Sequence, residues 1–263
     1  VYLCILILKQ KHMMTIEQIK STAPAIFATK PSPKMSDKYV FVPTMDILDN
    51  FQKQGWELSS VKQTGLGVYG VHELRLRNGG LPKVGDCLVE AIIRNSHNGI
   101  ATFSVSAGLH RLVCSNGLTV PTSLSESFNL RHQRFDLDEV KQLTESFAER
   151  LPIIQSSVDR MMTKVLTTPE KIQFVKQAIN TRWKTGTVPA TLDVMAIMYP
   201  KREEDKKNDL WTVFNVVQEN FIRGGLEYTS SRGRKTSSKG LKSIMAVNQV
   251  NTKLWDLAEQ FSY

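Results

Sequence analysis

Between Arg223 and Lys242 the chain carries six cations, Arg223, Arg232, Arg234, Lys235, Lys239 and Lys242, against a single acid, Glu227. Gly, Ser and Thr separate them, which reads as a mobile basic loop. Such a loop can follow a phosphodiester backbone, because each phosphate it neutralises releases a condensed counterion. Tyr228 in the same stretch offers a ring on which a base could stack. The same composition also describes a solvated surface loop, and that alternative stays open.

A second set of candidates sits on predicted strands, where alternate side chains share a face. Glu73, Arg75 and Arg77 fall on one face of their strand, Glu90 and Arg94 on one face of the next, and Thr102, Ser104 and Ser106 on one face of a third. The expectation is a sheet with one apolar face under helices and one face offering Arg, Ser and Thr to solvent. Those side chains bind phosphate oxygens without reading bases. The alternative is an ordinary solvated face of an antiparallel sheet. The cluster Arg94-Asn95-Ser96-His97-Asn98-Gly99 reads as a hairpin turn in which Arg94 and His97 could reach an anion beside exposed amides. Arg111 completes this set.

Catalytic chemistry finds little support. His97 has no nucleophile or orienting partner that the sequence can name. His72, His97, His110, Cys114 and His132 lack the paired short spacing of a structural zinc site. No GxxxxGK[ST] phosphate loop occurs. The Glu203-Glu204-Asp205 run lies among Lys and Arg and reads as solvated surface. The expectation is therefore a protein without enzymatic activity, metal or cofactor.

These residues need a scaffold, and the chain is long enough to build one. It has 263 residues, 41% of them hydrophobic, and 34 Lys and Arg against 25 Asp and Glu, a formal charge of +9. A packed domain with an anionic partner follows from that balance. Cys4, Cys87 and Cys114 form no CxxC pair, and Cys87 and Cys114 read as reduced core thiols, which fits a cytoplasmic location. The apolar run Val1 to Leu8 is too short to span a bilayer and makes a poor signal peptide. Residues 1–12 are expected to precede a native start at Met13 or Met14, and no membrane partner is expected.

Along the chain, residues 1–38 read as an irregular arm and 39–135 as a sheet region. Residues 136–263 read as a helical region containing the basic loop 223–242 and packed with the sheet as one domain. Thr44 is expected to cap a helix from Met45 to Gln54. Strands follow at Trp56 to Gln63, Val68 to Arg77, Cys87 to Asn95, Ile100 to Ala107, Leu109 to Cys114 and Leu118 to Val120, with hairpin turns at Asn98-Gly99 and Ser115-Asn116-Gly117. Helices are expected from Asp136 or Asp138 through Val165 with a bend at Pro152, from Thr168 to Trp183, over Ala190 to Met198, from Leu210 to Ile222 behind an Asp209 cap, and from Ile244 to Phe261. In the Leu210 helix, Leu210, Val213, Phe214, Val217 and Phe221 form one apolar stripe. The last helix packs on the body or on a second subunit. The fold class is α+β: an antiparallel meander with a leading helix, then a mostly helical half.

Three stretches carry a resemblance. Asn215-Val216-Val217-Gln218-Glu219-Asn220-Phe221-Ile222-Arg223-Gly224-Gly225-Leu226, the Arg94 to Gly99 cluster, and Gly108-Leu109-His110-Arg111-Leu112-Val113-Cys114-Ser115-Asn116-Gly117-Leu118 resemble motifs of the domain-of-unknown-function family 932. The stretch from Val247 to Glu259 with Trp255 fits as well. His110 departs from the pattern, which more usually has an aromatic residue there. The resemblance spans roughly residues 40 to 261. It implies a phage or plasmid setting and supplies no established site. The function expected on these grounds is sequence-independent nucleic-acid binding, with single-stranded DNA preferred, in recombination or replication, by a monomer or homo-oligomer. The alternatives are a factor that binds a host protein, such as an anti-defence protein, and a nucleic-acid-processing enzyme.

Overall fold

The computed structural model describes residues 14–111, 117–120, 128–130, 149, 151–184, 186–230 and 232–263. An antiparallel sheet occupies the first half, in the order β1 (Glu57–Thr64), β2 (Val71–Arg77), β3 (Cys87–Asn95), β4 (Phe103–Arg111) and β5 (Gly117–Thr119), with β6 (Phe128–Leu130) pairing the start of β4. Before it come α1 (Ile16–Thr22), a 3-10 turn (Pro24–Phe27) and α2 (Thr44–Lys53). After it come α3 (Leu151–Thr163), α4 (Thr168–Arg182), α5 (Val194–Ile197), a 3-10 turn (Glu203–Asp205), α6 (Leu210–Arg223), the hairpin β7 (Glu227–Thr229) and β8 (Lys235–Ser237), and α7 (Ile244–Phe261).

The α+β order matches the expectation, with local differences. The expected strands Ile100 to Ala107 and Leu109 to Cys114 merge into β4, which runs unbroken to Arg111. Gly108 permits this: a Cβ there would sit 2.6 Å from Ile92 Cδ1, so the side chain of β3 fills the place that β4 leaves empty. Pro43, not Thr44, occupies the cap position of α2, and the Thr44 hydroxyl turns instead to His72. Pro152 stands in the first turn of α3, where a missing N–H is tolerated. The stretch from Asp136 and Asp138 toward α3, the Ser115-Asn116 turn and residues 1–12 lie outside the described residues.

One hydrophobic cluster runs from the sheet (Leu74, Leu76, Ala91, Ile93, Val105, Leu109) through α2 (Ile47, Phe51) into the helices (Val158, Phe174, Phe214, Phe221, Trp255). The sheet and helical regions therefore share a core. Helix α6 lies at its centre and is buried on every side from Leu210 to Phe221, not along a single stripe. Its polar residues are matched one by one: Asn215 donates to Trp211 O, Gln218 to Asn251 Oδ1 and Asn220 to Ile197 O. A buried polar group without such a partner would cost about 1–3 kcal/mol. Asp209 caps the helix as expected, accepting from Thr212 N–H at 2.8 Å. Among the described residues no helix is long and apolar enough to cross a membrane.

Candidate nucleic-acid interface

The candidate residues separate into two groups, and burial makes the division. Arg75 is almost wholly buried, with 7% of its side chain accessible, and it donates to Glu73 and Glu90 at 3.0 Å each. Arg77 reaches Glu90 at 2.7 Å, and Arg94 reaches Glu73 at 3.4 Å. Ser104 and Ser106 are buried as well. The polar sheet face is thus not a solvent-facing phosphate platform. Helix α7 closes over it: Asn248 donates to Glu73 at 3.2 Å and accepts from Thr119 at 2.6 Å, so one amide ties β2 to β5. Burial pushes both glutamates toward the neutral form. For Glu73 the Arg75 and Arg94 charges outweigh it, for Glu90 the Arg75 and Arg77 charges do, and both carboxyls end below the usual range. Burial pulls the Arg75 guanidinium down, and the two carboxylates more than restore it. These cations are spent on internal partners.

Arg111 is likewise internal. It stands on the apolar face and donates to Asp86 at 2.5 Å and to Asp205 at 2.7 Å. Asp205, read from the sequence as solvated surface, is buried. It also pairs with Arg202 at 2.9 Å, Arg202 with Glu219 at 2.8 Å, and Glu219 with Arg223 at 2.8 Å. Charges of alternating sign therefore run from Asp86, just before β3, to Arg223 at the end of α6. Asp86 also accepts from the Trp211 indole at 3.1 Å. This chain fixes the segment containing Lys201 and Arg202 against α6.

His97 is buried and does structural service. Its Nε2–H donates to Ala25 O at 2.9 Å, and its carbonyl accepts from Ser32 N–H at 2.8 Å. Tyr39 donates to Ser96 O at 2.8 Å, and burial pushes its phenol up to about 12, so it stays a donor. The Arg94 to Gly99 motif is therefore the dock for the N-terminal arm. The His72 and His97 rings lie 5.0 Å apart, but His72 is occupied on both nitrogens, by Gly70 O and by the Thr44 hydroxyl. Thr44 in turn accepts from Asn95. Among the described residues no three His, Cys, Asp or Glu are grouped to hold a metal ion; Cys114 and His132 lie outside those residues.

This dock has a pH signature. Burial pushes the His72 imidazole down to about 4, partly opposed by its bond to Gly70 O. The unfolded chain then takes up this proton near 6.5 while the folded chain does so only near 4. The stability is intact above the upper value and drains away as pH falls toward the lower one. A loss on the order of 3 kcal/mol across that window is expected, measured by urea unfolding at a series of pH values. In His72→Gln the slope should flatten. An unchanged slope would mean that another group carries it.

The remaining candidates gather in the segment between α6 and α7. Arg232, Arg234, Lys235, Lys239 and Lys242 are all exposed. The expected loop is a hairpin, with Tyr228 paired to Thr236 and Thr229 to Lys235. The Gly224-Gly225 stop sets its course. Gly224 ends α6 at φ 75°, and a Cβ there would stand 2.5 Å from Ser238 O. The segment after β8 therefore passes directly against the helix end, where Gly225 N–H donates to Ser238 O at 2.7 Å and Leu241 N–H to Ile222 O at 2.8 Å. Two latches hold the hairpin from outside. Thr191 Oγ1 accepts from Thr229 N–H at 2.6 Å. Arg182, at the end of α4, donates to Lys239 O at 2.5 Å and lies over the Trp183 ring at 4.8 Å.

Between the hairpin and the segment around α5 is a cleft of about 840 Å³. Thr191, Asp193, Ala196 and Lys201 line one side, and Glu227, Tyr228, Thr229, Lys235, Thr236 and Ser237 the other, with Asn220, Gly224 and Gly225 among the lining residues. The C-terminal motif thus contributes directly to this cleft. Sequence reasoning found Tyr228 and Lys235 but missed Lys201, Thr191 and Asp193. The only signal available was the density of Asn, Gln and Glu in an otherwise apolar helix, which marks α6 as the element around which polar partners collect.

An α+β protein with a buried ionic sheet face and a basic hairpin beside a polar cleft is the class so defined. The sequence profile of a family described as "Domain of unknown function (DUF932)" matches residues 33–254. Two proteins of Escherichia coli strain K12, UPF0380 protein YafZ and UPF0380 protein YfjQ, are each 30% identical over 261 residues, covering 96% of this chain and 93% of the relative. The chain belongs to this family. No solved structure matches it.

Proposed function

We propose that the chain is a nucleic-acid-binding protein of a phage or plasmid, without enzymatic activity, acting on single-stranded DNA in the cytoplasm of a bacterial cell. The observation that carries this reading is the exposed hairpin segment with Arg232, Arg234, Lys235 and Lys239, four cations with no acid between Ser230 and Lys242. The ionic partners that occupy the sheet arginines do not reach them. The hairpin is latched to α4 and α6 at its base, so its cations are presented on a fixed scaffold. Phosphate binding of this kind is independent of sequence. The preference for a single strand comes from Tyr228: a ring in the cleft wall can meet only an unstacked base.

Fluorescence anisotropy with a labelled strand of about 20 nucleotides and its duplex, in about 50 mM salt, tests this. Micromolar or tighter binding to the single strand, weaker binding to the duplex and indifference to a chelator are expected. Absence of binding at that salt, together with a co-purifying host protein, would favour the protein-interaction alternative.

A further inference from the structure

We infer that the cleft at the foot of the hairpin is a base-binding subsite, which receives one unstacked nucleobase of the bound strand while the hairpin holds the phosphates. The inference rests on the nucleic-acid reading above and assigns a different task to a different surface. Charge separates the two. The cleft lining holds Lys201 and Lys235 against Asp193 and Glu227, two cations and two anions, and is formally neutral. Beyond the cleft, Arg232, Arg234 and Lys239 are cations with no acid among them, and Lys235 stands where the two surfaces meet. A neutral polar hollow makes a poor phosphate trough but suits an uncharged heterocycle with several donors and acceptors.

Size and lining agree. The cleft, about 840 Å³ and open to solvent, is large enough to admit a nucleobase still attached to its strand. Tyr228 supplies the aromatic face, and its cross-strand neighbour Thr236 supplies a hydroxyl beside it. The Arg182 guanidinium is held over Trp183 and donates to Lys239 O, which fixes the segment that follows the hairpin. Tyr199, 70% exposed and two residues before Lys201, offers a second ring outside the cleft for a neighbouring base.

The test compares an oligothymidine strand with a fully abasic strand of equal length, each titrated against wild type, Tyr228→Ala and Tyr228→Phe over a salt series. For wild type the abasic strand should bind about tenfold more weakly, with the same salt dependence, because its phosphates are the same. Tyr228→Ala should lose a similar factor on oligothymidine and nothing on the abasic strand, and Tyr228→Phe should behave as wild type. Equal binding of the two strands by wild type would remove the base subsite and leave the hairpin reading standing. A Tyr228→Ala variant weakened equally on both strands would also overturn the inference, since the ring would then serve only the hairpin's shape. Failure of wild type to bind either strand would remove the underlying reading as well.

Discussion

Arg75→Ala should lower the stability of the fold by about 3–5 kcal/mol, read as a shift in the urea midpoint, because it leaves two buried carboxylates facing each other without their shared cation. Glu73 and Glu90 are each within 5% of complete burial at the side chain, and both accept from the one guanidinium. Arg77 and Arg94 remain, but each pairs with only one of the two acids. The loss arises from desolvated charge and not from missing contact area. Arg75→Lys, which keeps the charge beside both glutamates, should therefore lose less than Arg75→Ala. A fold unaffected by Arg75→Ala but weakened in nucleic-acid affinity would return Arg75 to the surface role that its strand position first suggested.

Much of the scaffold is legible from residue pattern. β3 runs from Cys87 to Asn95 and α7 from Ile244 to Phe261, at the expected bounds, and Asp209 caps α6 as expected. These elements have strong local signals: apolar residues at strand or helix spacing and a good capping side chain. The alternation that places Arg75 beside Glu73 is legible too. What covers that face is not, because Asn248 closes it from 175 residues further along the chain. Periodicity reports which side chains share a face but not what lies over it. The error at His97 has the same origin. An Asn-Gly turn is a surface signal, yet the preceding arm folds back over this one and binds the imidazole through Ala25 O. The hairpin β7–β8 was hidden for a different reason. Its strands are three residues long and contain no aliphatic residue, and its order comes from contacts with α4, α6 and Thr191, not from strand propensity.

The second large effect concerns the hairpin. Arg232, Arg234 and Lys235 are exposed, and none forms an ion pair among those described. Their removal should leave the fold intact, since no buried group loses a partner. Each cation that neutralises a phosphate adds roughly 0.7 to the slope of log affinity against log salt for a single strand. Loss of three such contacts should lower the slope by about 2 and weaken binding by about a hundredfold in low salt. The most direct measurement of the central claim is therefore the salt titration of single-stranded DNA binding by wild type and by the Arg232→Ala/Arg234→Ala/Lys235→Ala variant, with thermal melts run alongside. The account predicts equal melting, a large loss of affinity and a slope shallower by about 2. Undiminished affinity with an unchanged slope in a well-folded variant would contradict it, and would place the anion contacts of this protein somewhere other than the hairpin.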